Sequence, residues 1–462
     1  MPPQLALLIY LAGVVWLFRR DFREKPNVTG ALWIPLIWLF LMMSRSATVW
    51  LGVFGFQAGD SSLEDGSPLD ALVYFVLIIA GLRILARRQI SLGELIRNNR
   101  WLAIYLGYCF LAIFWSDFEF VAFKRWVKIL GQPIMALVLL TEPDFEIALA
   151  VLMKRCAFVV VPISYLFIKY FPDLGRGFDS WTGQGANTGI ALGKNALGTD
   201  CLILGFFFVW YSLKVLKFEK STFRRNELIL CAAFLALIGW LFHLAQSSTS
   251  LVSFLIGATL LLVLGLPMIR KEHIAVYYLL GIAVCAIAEF GFGASDWIIS
   301  LLGKDPTLTD RTKVWKDCLN IPINPILGAG FESFWLGDRL KIMWAKWFWQ
   351  PNQAHNGYIE TYLNLGLVGL SILIALILAT FWKARRELLT NFHFGRFRMA
   401  FLTALVVYNW TEASFKALHP LWFVFYIIAI DYPKPKPEPR VDSAEEFLET
   451  PGETGHFADA GG

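Results

Sequence analysis

Hydrophobic residues run in long blocks along this chain, and polar residues gather in short interruptions between them. Apolar runs lie near 3–18, 31–48, 70–86, 101–116, 121–140, 148–170, 198–216, 227–246, 250–269, 274–292, 356–382, 398–412 and 418–431. A helix needs roughly 20 residues to cross the hydrocarbon core. The pattern therefore predicts an all-α, polytopic integral membrane protein with about 12–13 transmembrane helices, the first the shortest. The longest polar interruption, 293–355, predicts one large loop bearing short helices packed on a membrane face. Residues 1–432 form the predicted membrane domain. From Pro433 to Gly462 the chain is rich in Pro, Glu and Gly and poor in large apolar residues, which predicts a disordered tail. There is no repeat at a fixed period.

Composition agrees with the pattern. The chain is 57% hydrophobic and 17% charged, with a mean hydropathy of +0.56, whereas soluble domains carry roughly a quarter charged residues. The net charge of +5 is small, and the cations sit in short clusters between apolar runs, so no nucleic-acid surface is indicated. Those clusters (Arg19, Arg20, Arg23 and Lys25; Arg83 to Arg100; Lys214 to Arg225; Arg270 and Lys271; Lys383 to Arg398) recur in alternate connections, which places them in the cytoplasm by the positive-inside rule. The tail, with Lys434 and Lys436, falls on the same side. The 57–70, 172–197 and 293–355 connections must then face outward. Met1-Pro2-Pro3 lacks a basic segment and the first run leads into Arg19-Arg20, so no cleaved leader is expected. The six cysteines have no metal-ligand spacing. No Asp-x-Asp or paired-carboxylate motif appears in the outward connections, and no metal site is expected.

Charges beside membrane spans are costly and are functional suspects. Lys124, Arg125 and Lys128 enter the fifth run from its outward end, with Lys124 and Lys128 on one helical face; they either snorkel toward headgroups or bind an anion. Lys194 and Asn195 open the seventh helix, where a lysine beside free backbone N–H groups suits a phosphate, unless Lys194 is simply a loop lysine in water. Ser248 and Thr249 stand at a turn that they either cap or use to bind phosphate or sugar. Arg311 and Trp315 are helical neighbours, and arginine presents a planar fork to phosphate oxygens. His355 is the lone histidine of the large loop, so it either packs or accepts a proton near neutral pH. Trp335, Trp344, Trp347, Phe348 and Trp349 form either an interfacial belt or a stacking surface for sugars.

Taken together, these residues resemble a known family. His355-Asn356, nine residues, then Gly366-Leu367-Val368-Gly369 is similar to the His-Asn-x9-Gly-x-x-Gly signature of the O-antigen ligase and Wzy-type polymerase superfamily. Arg311 ahead of Val314-Trp315, the Pro325-Ile326-Leu327-Gly328-Ala329-Gly330-Phe331 stretch, Lys194-Asn195-x-x-Gly198 and the Ser248-Thr249 turn follow the same order. The resemblance covers roughly residues 100 to 430. Gln246-Ser247-Ser248-Thr249-Ser250 lacks the Ser-Arg often found there in ligases, and Gly357-Tyr358-Ile359-Glu360 looks more like ExoQ-type exopolysaccharide polymerases.

The resemblance implies transfer of glycans from an undecaprenyl-pyrophosphate donor, within membrane lipid, at the periplasmic face of the bacterial inner membrane, without metal, nucleotide or other cofactor. It implies His355 as the base that accepts the acceptor's proton and Arg311 on the pyrophosphate. Lys194, Asn195, Arg125, Lys128, Ser248, Thr249, Asn356 and Trp315 are then expected to bind substrate. A chain-length regulator and export proteins are the partners it suggests. The acceptor is open: a growing polysaccharide, or lipid A-core for a ligase. A lipid-linked-oligosaccharide flippase or a non-catalytic export subunit would share the many-helix, basic profile. The flippase would need mid-membrane cations and two similar halves, and neither is visible. The export subunit would tolerate loss of His355, Arg311 and Lys194 together.

Overall fold

The computed structural model describes residues 1–56, 66–179, 183–293 and 310–432. The tail expected from Pro433 onward, most of the 57–70 segment and residues 294–309 of the large loop lie outside the described residues. Each of the thirteen apolar runs is helical, in order Pro3–Arg23, the pair Trp33–Met43 and Ala47–Val53, Pro68–Arg87, Arg100–Leu111, Glu119–Leu140, Phe145–Tyr170, Lys194–Val215, Thr222–Ala245, Ser248–Val263, Ile274–Phe292, Gly357–Thr390, Phe392–Thr411 and Pro420–Ala429. Among the described residues six helices are long and apolar enough to cross a membrane, and the number is seven if Gly30–Met43 with Ala47–Val53, bent by 69°, is one broken span rather than a re-entrant loop. The other runs are shorter helices or carry cations within the helix, as Glu119–Leu140 and Phe392–Thr411 do. The molecule is an all-α, polytopic membrane protein.

Local signals set the helix ends. Asp144 accepts from the Ile147 N–H at 3.0 Å to start Phe145–Tyr170, and Ser67 with Pro68 starts Pro68–Arg87, the residue types preferred at those positions. Phe145–Tyr170 and Lys194–Val215 are mostly buried and form the centre. Around them Phe206, Phe207, Phe208, Trp210, Phe397 and Trp422 are fully buried. The described side chains of Ile274–Phe292, by contrast, are mostly exposed, Leu279, Ile282, Val284 and Ile287 among them, as suits a helix surrounded by lipid. At the end of the bundle away from the large loop, buried charges are paired: Arg155 with Asp21 at 2.7 Å and Lys154 with Glu227 at 3.2 Å. Pairing is what allows such groups to be buried at all.

The large loop contains the expected short helices, Arg311–Asn320 and Gly337–Lys346. They enclose a hydrophobic cluster of their own, with Val314, Cys318, Phe334, Trp335, Leu340 and Met343 buried in it. Trp344, Trp347 and Trp349 pack against this cluster, so of the five loop aromatics only Phe348 is fully exposed. The tryptophans thus serve the loop's core, because a loop of this length can bury them. The 172–197 connection adds a feature with no helical periodicity, a two-stranded hairpin pairing Arg176–Phe178 with Gly185–Asn187.

Candidate active site

The Phe392–Thr411 helix ends at Glu412, which leaves the helix in an extended conformation and is 5% exposed. Its carboxylate gathers three distant parts of the chain. Oε1 accepts from Arg311 Nη2 at 2.7 Å and from Asn195 Nδ2 at 2.8 Å. Oε2 lies 3.0 Å from His355 Nδ1. A carboxylate only accepts, so Nδ1 carries the proton and Nε2 is left with the lone pair. This assignment follows from the hydrogen-bond partner.

Bulk water hardly reaches the cluster, and charges interact strongly there. Burial pushes the His355 imidazole below its ordinary 6.5, and the Glu412 charge, pulling upward, does not fully offset it. Burial alone would raise Glu412, but Arg311 and His355 outweigh it and hold the carboxyl at about 2. At neutral pH the cluster therefore presents a neutral, basic imidazole backed by a fixed anion, with a guanidinium at its side.

The backbone around His355 is held on both sides. His355 itself adopts φ +51°, a left-handed conformation that costs a non-glycine residue free energy and persists only when its surroundings impose it. Trp315 Nε1 donates to the Ala354 carbonyl at 2.8 Å, and the Ala354 N–H donates to Glu360 Oε2 at 2.8 Å. Asn356 uses both ends of its amide: Oδ1 caps the N–H groups of Tyr358 and Ile359, and Nδ2 donates to the Trp410 carbonyl at 2.9 Å. Trp315 and Asn356, expected to bind substrate, are engaged in positioning His355.

The Gly-x-x-Gly element is a helix break. Gly366 has φ +65° and ψ −167°, a region open essentially to glycine alone. A Cβ there would overlap the Ile326 carbonyl. The break leaves backbone groups that a continuous helix would pair internally, and the 325–330 stretch satisfies them. Ala329 and Gly330 N–H donate to the Leu363 and Asn364 carbonyls, each at 3.0 Å, while Leu367 N–H donates to the Pro325 carbonyl at 2.9 Å and Val368 N–H to that of Ile326 at 3.2 Å. Tyr108 OH completes the set at the Leu365 carbonyl, 3.1 Å away. The two glycine-rich stretches singled out in the sequence are thus each other's packing partners. They anchor the half-helix that begins just after His355.

The other predicted residues divide. Asn195 joins the cluster, but Lys194 forms an ion pair with Asp179. Thr249 Oγ1 lies 2.7 Å from Thr411 Oγ1, one residue from Glu412, and Ser248 opens the Ser248–Val263 helix beside it. Arg125 donates to the Glu332 carbonyl and borders a separate cavity. Lys128 lies one turn further along the same helix and is partly buried. Sequence reasoning missed Glu412, Gln353 and Lys416. Gln353 Nε2 is 3.4 Å from His355 Nδ1, and Lys416 Nζ donates to Gln353 Oε1 at 2.8 Å. The available signal for Glu412 was an acid at the very end of an apolar run.

Comparison with known proteins bears on this geometry. Residues 231–374 match the model of the O-antigen ligase family, a segment that includes Arg311, His355 and Gly366 but stops short of Glu412. The chain is 27% identical over 305 residues to the exopolysaccharide production protein ExoQ of Rhizobium meliloti (strain 1021), covering 63% of this chain and 66% of that protein. It is 24% identical over 258 residues to a protein of Rickettsia felis provisionally named a polysaccharide ligase, covering 54% of this chain and 58% of that one. The matches thus span 66% and 58% of the length of these relatives, less than two thirds of each.

Proposed function

The chain belongs to the O-antigen ligase and Wzy-type polymerase superfamily, and on that premise we propose that it polymerises glycan repeat units from an undecaprenyl-pyrophosphate donor. The observation that carries the proposal is the His355–Glu412–Arg311 cluster. It joins a base, the anion that orients the base, and a fork for phosphate oxygens in one water-poor site. His355 Nε2 removes the proton of an acceptor hydroxyl as that oxygen attacks the donor's anomeric carbon. The bond from that carbon to the pyrophosphate oxygen breaks, and the pyrophosphate leaves with the electron pair. Arg311 offsets the charge that develops on it. Glu412 touches neither reactant; it is a positioning residue that fixes the histidine tautomer and stabilises the imidazolium once formed. In this reading the cluster faces the periplasm from the inner membrane, residues 1–432 are the transferring domain, and residues 433–462 form a cytoplasmic tail. Polymerisation is preferred over ligation because the longer match is to a protein named for exopolysaccharide production rather than for ligation.

The test is glycan transfer by purified protein given lipid-linked repeat units, with donor binding measured separately. Wild type should build a ladder of products, whereas a ligase would add glycan once to lipid A-core, and a flippase or export subunit would form no bond. His355→Ala should keep donor binding and lose roughly 10²–10⁴-fold in rate, the span of general-base assistance. Arg311→Lys keeps the charge but not the fork, and should still lose about tenfold, the equivalent of one charge-assisted hydrogen bond. A His355→Ala protein that folds and polymerises normally would refute the reading.

A further inference from the structure

Beside the cluster lies a cavity of about 130 Å³ whose lining includes Arg125, Glu332, Trp335, Gln353, Phe415 and Lys416. It begins one side chain from the base, since Gln353 both lines it and approaches His355 Nδ1 at 3.4 Å. Three stretches far apart in sequence are latched together to form its wall. The Ala417 N–H donates to Glu332 Oε1 at 3.1 Å, Arg125 donates to the Glu332 carbonyl, and Lys416 Nζ donates to Gln353 Oε1 at 2.8 Å. Phe415 is fixed from behind by Trp422 and Tyr358, with ring centroids 5.1 and 5.6 Å away.

Building on the transfer reading above, we propose that this cavity is the acceptor's subsite and takes a single uncharged pyranose ring. Charge is the first argument. Two cations, Arg125 and Lys416, are balanced by two carboxylates, Glu332 and Glu360, all on the lining. Such a lining has no net pull on an anion and does not suit a pyrophosphate, which Arg311 can take instead. Hydrogen-bonding capacity is the second. Amides, carboxylates and cations surround the space, so donors and acceptors are both on offer, and a ring of hydroxyls needs both. Shape is the third. The volume fits one sugar ring rather than an oligosaccharide, and aromatic side chains supply apolar faces, the usual make-up of a site for a small polar ligand. Position is the fourth. The cavity is one side chain removed from His355, through Gln353, which lines it.

The experiment uses the full chain in detergent and saturation-transfer NMR, with methyl β-glucopyranoside, methyl β-galactopyranoside and methyl α-mannopyranoside as probes and glucuronate as the charged control. At least one neutral pyranoside should bind. Lys416→Met and Glu332→Gln should each weaken it tenfold or more, whereas Arg311→Lys, which keeps the charge beside Glu412, should leave it unchanged. Glu332→Gln keeps an oxygen for the Ala417 N–H, so it carries the test if Lys416→Met fails to fold. The inference is overturned if no neutral pyranoside binds, if both variants bind like wild type, if Arg311→Lys loses binding equally, or if glucuronate binds more tightly than every neutral probe. The transfer assay separates the two readings. Pyranoside binding without any transfer by wild type would sink the proposed function and leave a pyranose site with no acceptor role, and transfer without pyranoside binding would sink the subsite alone.

Discussion

Replacing Glu412 by glutamine tests the cluster most sharply, because the side chain keeps its shape and loses only its charge. In wild type the carboxylate receives Arg311, Asn195 and His355 at 2.7, 2.8 and 3.0 Å. An amide cannot accept on both sides. If its oxygen stays with Arg311 and Asn195, its NH₂ faces His355 Nδ1, which must then accept, and the proton moves to Nε2. That is the tautomer unable to take a proton from the acceptor. Losing one charge-assisted bond costs roughly 1.5–3 kcal/mol, and about 1.4 kcal/mol is tenfold in rate. The plateau rate should therefore drop by one to two orders of magnitude from imidazolium destabilisation alone, and further where the wrong tautomer dominates.

The pH dependence distinguishes this from a merely structural role. Burial lowers the His355 pKa and Glu412 raises it. Removing the anion should move the acidic limb of the rate profile to lower pH while the plateau falls. The assay is transfer by purified protein between pH 4.5 and 8, with protein level and melting temperature recorded alongside. A glutamine variant within threefold of wild type on the plateau, or with its acidic limb moved upward, would refute the argument. The same carboxyl gives a stability prediction. Its folded-state pKa of about 2 lies below its ordinary 4.5, so its contribution is present above pH 4.5 and is lost as pH falls from 4.5 through 2. Wild type should lose thermal stability over that window, and Glu412→Gln should lose distinctly less.

Three further outcomes are expected. Gly366→Ala should misfold or melt well below wild type, since the new methyl group meets the Ile326 carbonyl in a backbone region closed to alanine; a normal melting temperature would show that the break is dispensable. Transfer should continue in excess EDTA, because the Glu412 carboxylate already receives two cationic or ring donors and an amide; loss on chelation with recovery in magnesium would contradict this. Cysteine at Asp338, whose side chain is 91% exposed, should react with an impermeant maleimide in cells with permeabilised outer membranes, and labelling only after lysis would reverse the orientation. Asp338 is a better site than the neighbouring Gly337, where a side chain would meet the Phe118 ring.

The helices were legible in the sequence because each apolar run is long enough to report itself without its neighbours. Arg311 and His355 were legible as a cation and an imidazole in a polar loop, and Asn195 by its place at a helix start. Glu412 was not. It stands 57 residues from His355 and 101 from Arg311, and one acid after an apolar run reads as the end of a span. Lys194 was read through the usual chemistry of a cation at a helix N-terminus; its partner Asp179 lies across a hairpin whose strands are three residues each, too short to announce themselves. The glycine motifs were visible as letters, but the helix break and the strand of backbone that fills it come from stretches some forty residues apart, so their mutual purpose appears only when both are in place.

The location of Glu412 also ties formation of the site to folding of the loop. A helix C-terminus carries a partial negative charge, so an acid directly after it is disfavoured by roughly 0.3–1 kcal/mol even at the surface, and burial adds to that cost. The acid is tolerated because Arg311, the first residue of a loop helix, and His355, at the loop's far end, both come to it. Without the docked loop Glu412 keeps only the Asn195 amide as a partner; with it, imidazole, guanidinium and carboxylate are aligned together. The loop's small core and the Trp315 and Glu360 bonds to Ala354 hold that docked arrangement. On the proposed reading, the pairing at Glu412 couples loop docking to assembly of the site, and an undocked loop would present neither a positioned imidazole nor a phosphate fork.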